Sequence, residues 1–290
     1  MRYKLLVLGA SGMAGHTISM YMHERGYDVT GFDRRPLSHC PCKSVTGDAQ
    51  DAETLKAMIT DGKFDAVINC IGVLNQFAED NKRLAVYLNS YLPHLLADIT
   101  SGSKTKIIHM STDCVFSGKK GEYTESDLRD GETFYDRTKA LGELEDGKNL
   151  TLRNSIVGPD LNPNGIGLLN WFMRQNGKIC GYNRVMWTGL TTLQLAKAME
   201  AGLNEGVHGL YNMVYKKPIS KHDLLSLFNH YLKGNSLEIE PIDNIVSDKS
   251  LKRTRFDFGY VIPDYEKMVA ELAAWMRQHK NLYPHYDIAD

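Results

Sequence analysis

The amino-acid sequence predicts an α/β protein, a doubly wound parallel sheet accompanied by a smaller carboxy-terminal lobe. Apolar runs alternate with helix-period segments through the first half of the chain, and a glycine-rich turn follows the first apolar run directly. Because parallel strands require crossover connections, a repeated strand–helix order favours a parallel sheet with helices on both faces. The chain has 290 residues, of which 42% are apolar, so it can bury a core of this size.

The elements can be assigned in chain order from the spacing of apolar residues. We expect strands at residues 5–8, 29–32, 66–70, 107–110 and 150–153, and helices between them at 13–25, 52–59, 84–99 and 135–144. Beyond Val157 turn signals interrupt the alternation, and later helices are expected at 192–203, 220–232 and 264–279. We therefore divide the chain into residues 1–157, which carry the sheet, and residues 158–290, mainly a lobe over its carboxyl edge that can interleave with the sheet. Residues 281–290 are expected to form a loosely held tail.

The composition excludes several classes of partner. Lysine and arginine total 34 against 35 aspartate and glutamate, a net charge of −1, so no bulk electrostatic attraction to nucleic acid or anionic lipid is expected. No apolar stretch approaches the roughly 20 residues needed to cross a bilayer, and the first apolar run is too short for a signal peptide. These observations predict a cytoplasmic protein that binds neither nucleic acid nor a membrane.

The cysteines number five, and an odd number spread thinly over the chain predicts reduced thiols rather than a disulfide framework. The segment His39-Cys40-Pro41-Cys42 could supply half of a zinc site. Zinc requires four ligands, however, and no second pair lies at a matching spacing. We expect this segment to be an exposed loop after the second strand, and we expect no metal in the protein.

The turn after the first strand has the pattern of a nucleotide-binding loop. Gly9, Gly12 and Gly15 are spaced G-x-x-G-x-x-G at the start of a helix, with Ser11 and Met13 between them. The first glycine permits a tight turn, the second a close approach of the backbone to a pyrophosphate, and the third close packing of helix on strand. The phosphates then face unpaired N–H groups at the positive end of the helix.

Charged residues at the end of the second strand bear on the choice of dinucleotide. Asp33 can bond the hydroxyls of the adenosine ribose, which favours NAD, whereas Arg34 and Arg35 can pair with a 2′-phosphate, which favours NADP. We expect NADPH or NADH, with a preference for NADPH. Asp48 is placed to meet the adenine or, equally, to cap the following helix. The first part of the chain is therefore expected to be a dinucleotide-binding domain of the Rossmann type, and the second mainly a substrate-binding lobe.

A phenol and an ammonium group lie one helical turn apart further along the chain. Tyr135 and Lys139 have the Y-x-x-x-K spacing, which places both side chains on one face of a helix. The reference pKa of tyrosine is about 10, and a nearby ammonium group favours the phenolate, which brings proton transfer closer to neutral pH. Thr112, at the end of the preceding strand, can orient a substrate carbonyl and stabilise charge on its oxygen. These three are the predicted catalytic residues; for Tyr135 and Lys139 the alternative is a solvated helix face.

Five short segments carry a resemblance to a known family. They are Gly9-Ala-Ser-Gly-Met-Ala-Gly15, Asn69-Cys-Ile-Gly72, Ser111-Thr-Asp-Cys-Val-Phe116, Tyr135-x-x-x-Lys139 and Leu152-Arg-Asn-Ser155. This set resembles the extended short-chain dehydrogenase/reductase superfamily and, within it, the dTDP-4-dehydrorhamnose reductase family, well over residues 1–158 and loosely beyond. The resemblance implies a Rossmann fold, NAD(P)H, and reduction of the 4-keto group of a nucleotide-linked 6-deoxyhexulose. It also implies that Lys139 contacts the nicotinamide ribose, and it puts Cys70 and Gly72 on the cofactor side.

One residue departs from the pattern of that family. The family usually has tyrosine where this chain has Cys114, and a sugar-nucleotide dehydratase of the same fold would have glutamate there beside Asp113, so the sequence counts against dehydration. In GDP-fucose synthase, a related epimerase-reductase, a cysteine occupies the corresponding place. Cys114 is then either a small replacement for tyrosine or a base for epimerisation whose thiol pKa Lys139 would lower. The partner acid would be His208 or His222.

Two further residues are candidates for contact with a substrate, together with Cys114. Arg153, at a strand end near the switch point of the sheet, can meet a substrate diphosphate or cap a carbonyl edge. Trp187 can stack on a nucleotide base or belong to the core, and the same alternatives hold for Trp171 and Phe172.

The sequence therefore predicts an NAD(P)H-dependent reductase of a nucleotide-activated 4-keto sugar, acting in polysaccharide or cell-surface sugar biosynthesis. The loose likeness beyond Val157 leaves dTDP-linked rhamnose precursors and UDP-linked amino sugars both open as substrates. One alternative is an epimerase-reductase; another is a non-catalytic dinucleotide-binding subunit, similar to the regulatory subunit of methionine adenosyltransferase. The expected partner is the nucleotide-diphosphate sugar, with a homodimer left open.

Overall fold

A seven-stranded parallel sheet forms the centre of the computed structural model, which describes residues 3–38 and 40–289. The strands in chain order are β1 (Lys4–Leu8), β2 (Asp28–Asp33), β3 (Lys43–Thr46), β4 (Ala66–Asn69), β5 (Lys106–Ser111), β6 (Leu150–Arg153), β7 (Ser155–Val157), β8 (Lys178–Tyr182), β9 (Val185–Trp187), β10 (Gly189–Thr191), β11 (Gly209–Asn212), β12 (Ile219–Ser220), β13 (Glu238–Ile242) and β14 (Ser247–Asp248). The central sheet has the order β11-β6-β5-β4-β1-β2-β3, and its neighbouring strands pair in parallel throughout. Smaller sheets, β10-β7, β12-β9-β14 and β13-β8, lie in the second half of the chain.

Helices connect these strands. They are α1 (Met13–Glu24), α2 (Ala52–Gly62), α3 (Asn75–Asp80), α4 (Lys82–Ala85), a π-helical segment (Val86–Tyr91), α5 (Leu92–Thr100), a 3₁₀ turn (Asp113–Val115), α6 (Phe134–Leu141), α7 (Leu168–Met173), α8 (Thr192–Glu205), α9 (Lys221–Lys233), α10 (Tyr265–Gln278) and a second 3₁₀ turn (Lys280–Leu282). The doubly wound α/β fold predicted from the sequence is therefore confirmed. Because β1 pairs with β2 on one side and with β4 on the other, the strand order reverses there, which opens a crevice at the carboxyl ends of these strands.

Strand β1 shows how the sheet separates two cores. Its side chains alternate in direction, so Leu5 and Val7 pack in the cluster that includes α1 and α8, whereas Leu6 and Leu8 pack in the cluster that includes α2 and α5. All four are fully buried. A strand covered on both faces in this way reads as a continuous apolar run rather than an alternating one.

The sequence misses some elements. Strand β3 is a short, largely exposed edge strand with the sequence KSVT, which offers no apolar run. The helix expected at 84–99 is joined to α4 and interrupted by the π-helical segment. The helix expected at 135–144 ends at Leu141, and the next residue, Gly142, lies so close to the π-helical segment that a Cβ there would be 1.9 Å from the carbonyl oxygen of Asn89.

Contacts cross the boundary at residue 157. Strand β11 forms the edge of the central sheet beside β6, and α8 packs against α1, where the hydroxyls of Thr17 and Thr192 lie 3.1 Å apart. The division of the chain at this point stays a prediction, but the sheet takes its last strand from the second part.

The carboxy-terminal tail is not loosely held, and that expectation is wrong over the residues described. Tyr283 and Tyr286 are 1% and 8% exposed. The hydroxyl of Tyr283 lies 2.8 Å from a ring nitrogen of His16, and the hydroxyl of Tyr286 accepts the N–H of Asp160 at 2.9 Å. Aromatic residues therefore anchor the tail against the first helix and the segment after β7.

The expectation of reduced thiols is wrong for two of the five cysteines. Cys40 and Cys42 are joined by a disulfide, with Cα atoms 5.2 Å apart, a spacing that a disulfide spans. Cys70, Cys114 and Cys180 are free. Within residues 3–38 and 40–289 there is no group of three metal-ligating side chains, and His39 of the candidate half-site lies outside the described residues. In the same ranges, no helix combines the length and apolar character needed to span a bilayer.

Candidate active site

The turn between β1 and α1 has the geometry of an anion-binding loop. Gly9 has a φ of +75°, and a Cβ at Gly15 would lie 2.0 Å from the carbonyl oxygen of Gly9, so helix and loop come together only without side chains there. Gly12 caps α1 without any side-chain hydrogen bond, and the first turn of the helix carries no acidic residue. Because the start of a helix leaves its first N–H groups without intrahelical partners, this turn suits an anionic group such as a pyrophosphate.

Asp33 fastens this loop to the end of β2. One of its carboxylate oxygens accepts the N–H of Ser11 at 2.9 Å and the hydroxyl of Ser11 at 2.7 Å, and the other accepts the N–H of Arg34 at 2.8 Å. Arg34 and Arg35 are exposed, and among the ion pairs of the described residues neither takes part. Their guanidinium groups therefore remain available to a ligand beside Asp33.

Asp48 does not cap the following helix. The cap of α2 is Asp51, whose carboxylate accepts the N–H of Thr54 at 3.1 Å. The carboxylate of Asp48 accepts the N–H of Gln50 at 2.9 Å, and Asp48 lines a cleft at the carboxyl ends of the central strands. The alternative assignment of Asp48 as a helix cap is therefore wrong.

A cleft of about 620 Å³ lies at the carboxyl ends of β1, β2 and β4. The predicted cofactor-binding residues that line it are Gly9, Ser11, Gly12, Asp33, Arg34, Asp48, Cys70 and Gly72. Part of its wall comes from the second part of the chain and includes Asp160, Asn162 and Ile166, residues that the sequence did not single out. Five predicted cofactor-binding residues are not among the lining residues: Met13, Gly15, Arg35, Tyr135 and Lys139. Met13 contacts the segment around Gly167, and Gly15 serves helix packing instead.

The three predicted catalytic residues lie close together. Thr112 follows β5 and caps the 3₁₀ turn, its hydroxyl accepting the N–H of Cys114 at 3.1 Å. Tyr135 and Lys139 lie one turn apart on α6, and both are buried rather than on a solvated face. The ammonium group of Lys139 donates to the carbonyl oxygen of Met110 at 2.7 Å, and the phenol of Tyr135 is near enough to Thr112 for that side chain to influence its pKa.

The expectation that Lys139 lowers the pKa of the Tyr135 phenol is wrong for the protein without ligand. Burial raises that pKa, and the negative charge of Cys114 in its thiolate form raises it further, whereas the Thr112 side chain has a smaller, lowering effect. Tyr135 therefore holds its proton firmly, as an acid must until an oxygen of greater basicity develops beside it.

Burial also changes Lys139. It lowers the pKa of the ammonium group from 10.5 to about 8, although Glu143 and Cys70 favour the charged form. A buried cation whose hydrogen bond goes to a neutral carbonyl lowers the stability of the folded protein. Such a cost is typical of a group placed for function rather than stability.

We predict that Lys139→Met changes the pH dependence of stability in a defined direction. Between about pH 8 and pH 10.5 Lys139 binds fewer protons in the folded protein than in the unfolded chain, so stability rises with pH across this window. The gain is up to about 3 kcal/mol. Urea unfolding of both proteins across this pH range should show the parent gaining stability relative to the variant. Curves that run parallel would contradict the pKa assigned to Lys139.

The structure corrects two of the substrate-side candidates. Arg153 is fully buried and forms an ion pair with Glu143, Nε to Oε1 at 2.8 Å and Nη2 to Oε2 at 2.7 Å, so it meets neither a diphosphate nor a free carbonyl edge. Trp187 is 3% exposed and packs against Tyr265 with ring centres 5.7 Å apart, so it belongs to the core. Phe172 is likewise buried.

Cys114 lies at the site but lacks the properties expected of a base. Burial raises the pKa of its thiol to about 12, the neighbouring carboxylate of Asp113 adds to the effect, and Lys139 is not among the groups that lower it. Of the two candidate acids, His208 directly precedes β11 and is therefore at the amino end of the sheet, away from the site. His222 lies in the first turn of α9, 3.0 Å from the carboxylate of Asp223.

Sequence reasoning missed Asn89, which holds the site together. Its amide accepts the N–H of Val73 at 2.8 Å and donates to the carbonyl oxygen of Val73 at 2.9 Å and to the hydroxyl of Thr138 at 3.1 Å. It thereby ties the segment after β4 to the helix that carries Tyr135. The residue lies in the π-helical segment, and one buried asparagine in a helical stretch gives no signal in the sequence.

Comparison with known proteins adds several likenesses. The family model described as "RmlD substrate binding domain" matches residues 3–157. The probable low-salt glycan biosynthesis reductase Agl14 of Haloferax volcanii is 32% identical over 141 residues, 47% of this chain and 46% of that protein. A dTDP-4-dehydrorhamnose reductase of Streptomyces griseus is 30% identical over 144 residues, 49% of this chain and 44% of that protein. The methionine adenosyltransferase 2 subunit beta of Xenopus laevis is 28% identical over 144 residues, which are 48% of this chain and 41% of that protein. The chain thus matches a little under half the length of these curated relatives.

Solved structures resemble the chain over nearly all of its length. A dTDP-4-dehydrorhamnose reductase from Bacillus anthracis, in complex with NADP, superposes with a TM-score of 0.79 at 17% identity, covering 95% of this chain and all of that one. A UDP-N-acetylglucosamine 4-epimerase from Methanobrevibacter ruminantium, in complex with UDP-N-acetylmuramic acid, gives a TM-score of 0.76 at 17% identity, covering 96% of this chain and 99% of that one. At these identities the likeness establishes the fold.

Proposed function

The chain belongs to the RmlD substrate binding domain family, and from that premise we propose that it is an NAD(P)H-dependent reductase of the 4-keto group of a nucleotide-activated sugar. The observation that carries the proposal is that α6 packs on the 3₁₀ turn capped by Thr112 and buries Tyr135 and Lys139 there. Val73, which packs with Tyr135, also lines the cleft whose walls suit a dinucleotide. The relatives named as dTDP-4-dehydrorhamnose reductases and as a glycan biosynthesis reductase support a role in sugar biosynthesis.

The chemistry assigned to the side chains follows from their positions. Gly9, Gly12 and Asp33 would hold the dinucleotide, with Lys139 directed toward its ribose; a bound reduced nicotinamide supplies a hydride for the keto carbon. Tyr135 donates its proton to the carbonyl oxygen as negative charge builds there, and the hydroxyl of Thr112 stabilises that charge. The raised pKa of Tyr135 favours this role, because the phenol remains protonated until the oxygen becomes more basic.

Two alternative functions, an epimerase-reductase and a non-catalytic subunit, can be weighed against the reductase. Epimerisation before reduction would need Cys114 as a base, and its raised thiol pKa argues against that. A non-catalytic subunit, which the likeness to the methionine adenosyltransferase subunit beta raises as an alternative, would not need Tyr135, Lys139 and Thr112 to be buried together. Proposals for a cytoplasmic location and a homodimer carry over from the sequence, and light scattering of the purified protein would test the dimer.

Oxidation of NADPH, followed by its absorbance, tests the proposal. Purified protein should oxidise NADPH when given a 4-keto-6-deoxy sugar linked to dTDP or to UDP, and mass spectrometry should find a product two mass units heavier than the substrate. Comparison of the dTDP- and UDP-linked substrates then identifies the nucleotide. A protein that binds NADPH tightly but oxidises it with neither substrate would support the regulatory alternative.

The choice of cofactor depends on the exposed arginines. Replacing Arg34 and Arg35 together with serine should weaken NADPH about tenfold or more while changing NADH much less, since only NADPH offers a 2′-phosphate for charged hydrogen bonds worth roughly 1.5–3 kcal/mol. Calorimetric titration of both cofactors measures the effect. The matched control replaces the exposed Lys216 and Lys217, which removes the same charge away from the cleft. Equal losses for NADPH and NADH would refute this role of the arginines.

A further inference from the structure

A lysine from the second part of the chain lies near the residues that follow Thr112. Lys221 is the first residue of α9, and its ammonium group lies over the ring of Trp187, 5.3 Å from the ring centre. Its side chain is only partly exposed, and its charge is felt by Asp113 and Cys114, the residues directly after Thr112. One part of the site is thus supplied by a helix that the family resemblance covers only loosely.

The fold fixes this lysine through a small sheet. Strand β12 pairs antiparallel with β9, and β14 pairs parallel with β9 on the other side, so that Lys221 and Lys249, which directly follow β12 and β14, flank β9. The N–H of Asp248 donates to the carbonyl oxygen of Gly118 at 3.1 Å, which joins this sheet to the loop beyond the 3₁₀ turn. Two ammonium groups are thereby held beside the catalytic residues.

Lys221 differs from Lys249 in having no carboxylate within ion-pair distance. Lys249 lies 3.9 Å from the carboxylate of Asp136, whereas none of the ion pairs within 4.0 Å among the described residues includes Lys221. Burial lowers the pKa of Lys221 to about 8, with Asp113 opposing the shift from a greater distance. The position of Lys221 in the first turn of α9 does not stabilise its positive charge either, because the first turn of a helix favours anions rather than cations. An enclosed ammonium group of this kind is stabilised when an anion binds beside it.

We propose that Lys221 binds the diphosphate of the sugar nucleotide, the anionic group of the substrate class proposed above, on which this inference rests. Arg153, the residue that the sequence suggested for the diphosphate, is committed to Glu143 and fully buried. The ring of Trp187 lies against the Lys221 ammonium group, and Asp113 is the carboxylate of this chain whose charge favours it.

Calorimetric titration with UDP and with dTDP tests this assignment on the full-length protein. Lys221→Met should weaken the nucleoside diphosphate that the parent binds about tenfold or more, Lys221→Arg should retain most of the affinity, and NADPH should bind both variants as it binds the parent. Lys216→Met is the matched control, since Lys216 also lies over an aromatic ring, 6.0 Å from the centre of Tyr215, but is exposed.

The outcomes separate this inference from the proposed function. Unchanged affinity of Lys221→Met for the nucleoside diphosphate overturns the role of Lys221 and leaves the reductase in place. A parent protein that binds NADPH but neither UDP nor dTDP overturns both. If Lys221→Met melts well below the parent, Lys221→Gln takes its place, because its amide keeps a polar group in the same space while removing the charge.

Discussion

Replacement of Tyr135 by phenylalanine is expected to lower kcat by about 10²-fold or more while leaving the affinity for the dinucleotide nearly unchanged. The phenol is needed only when the carbonyl oxygen gains negative charge, so its loss raises the barrier of the chemical step and not the cost of binding. In the variant, Thr112 alone remains to stabilise that oxygen. The packing around residue 135 is preserved because phenylalanine fills the same buried space.

Steady-state kinetics with the active sugar nucleotide measures this effect, with NADPH affinity determined separately. Tyr211→Phe is a suitable control, because Tyr211 is also buried but its hydroxyl bonds Asp257 at 3.0 Å, outside the proposed site. The proposed acid would have to be another group if Tyr135→Phe retained full kcat. Loss of NADPH binding in the same variant would instead indicate a structural role.

Replacement of Arg153 by methionine is expected to lower the free energy of unfolding by about 3–5 kcal/mol, because it leaves Glu143 without its main partner in the interior. Burial alone raises the pKa of Glu143, but Arg153 outweighs it, with help from Ser111 and Arg129, and holds that pKa below its usual value. Removal of the guanidinium group reverses this balance. Glu143 then becomes a buried charge with fewer partners or takes up a proton.

Urea unfolding, followed by both circular dichroism and tryptophan fluorescence, measures the loss and checks that the two transitions coincide. The double variant Arg153→Met, Glu143→Leu should recover at least half of it, because no buried carboxylate is left unpaired. A single variant within about 1 kcal/mol of the parent would contradict the importance of this ion pair.

The residues that the sequence identified best depend on local geometry. The spacing of Gly9, Gly12 and Gly15 alone predicts a tight turn followed by a closely packed helix. Tyr135 and Lys139 share a helix face whatever surrounds them. Such patterns hold within a few residues of the chain, so a sequence is enough to recognise them. The same holds for the central strands, whose continuous apolar runs reflect burial on both faces.

The residues assigned wrongly or missed depend on contacts between distant parts of the chain. Arg153 looked accessible because its partner Glu143 lies on a different element, and the two meet only when the chain folds. Lys221 gave no signal, since its position beside Cys114 is set by the small sheet around β9. The pKa of Tyr135 also depends on burial, which outweighs any effect that its spacing from Lys139 suggests.

The seventh strand of the sheet limits how this protein can be altered by recombination. A fragment that ended at residue 157 would contain every predicted catalytic residue, yet it would leave β6 as an unpaired edge and remove Asn212, whose amide oxygen accepts from Arg153 at 3.2 Å. The part of the chain that the family model matches therefore does not contain the complete central sheet. A chimera that exchanges substrate preference with a relative would need its junctions placed on either side of β11, so that this strand stays with its own sheet.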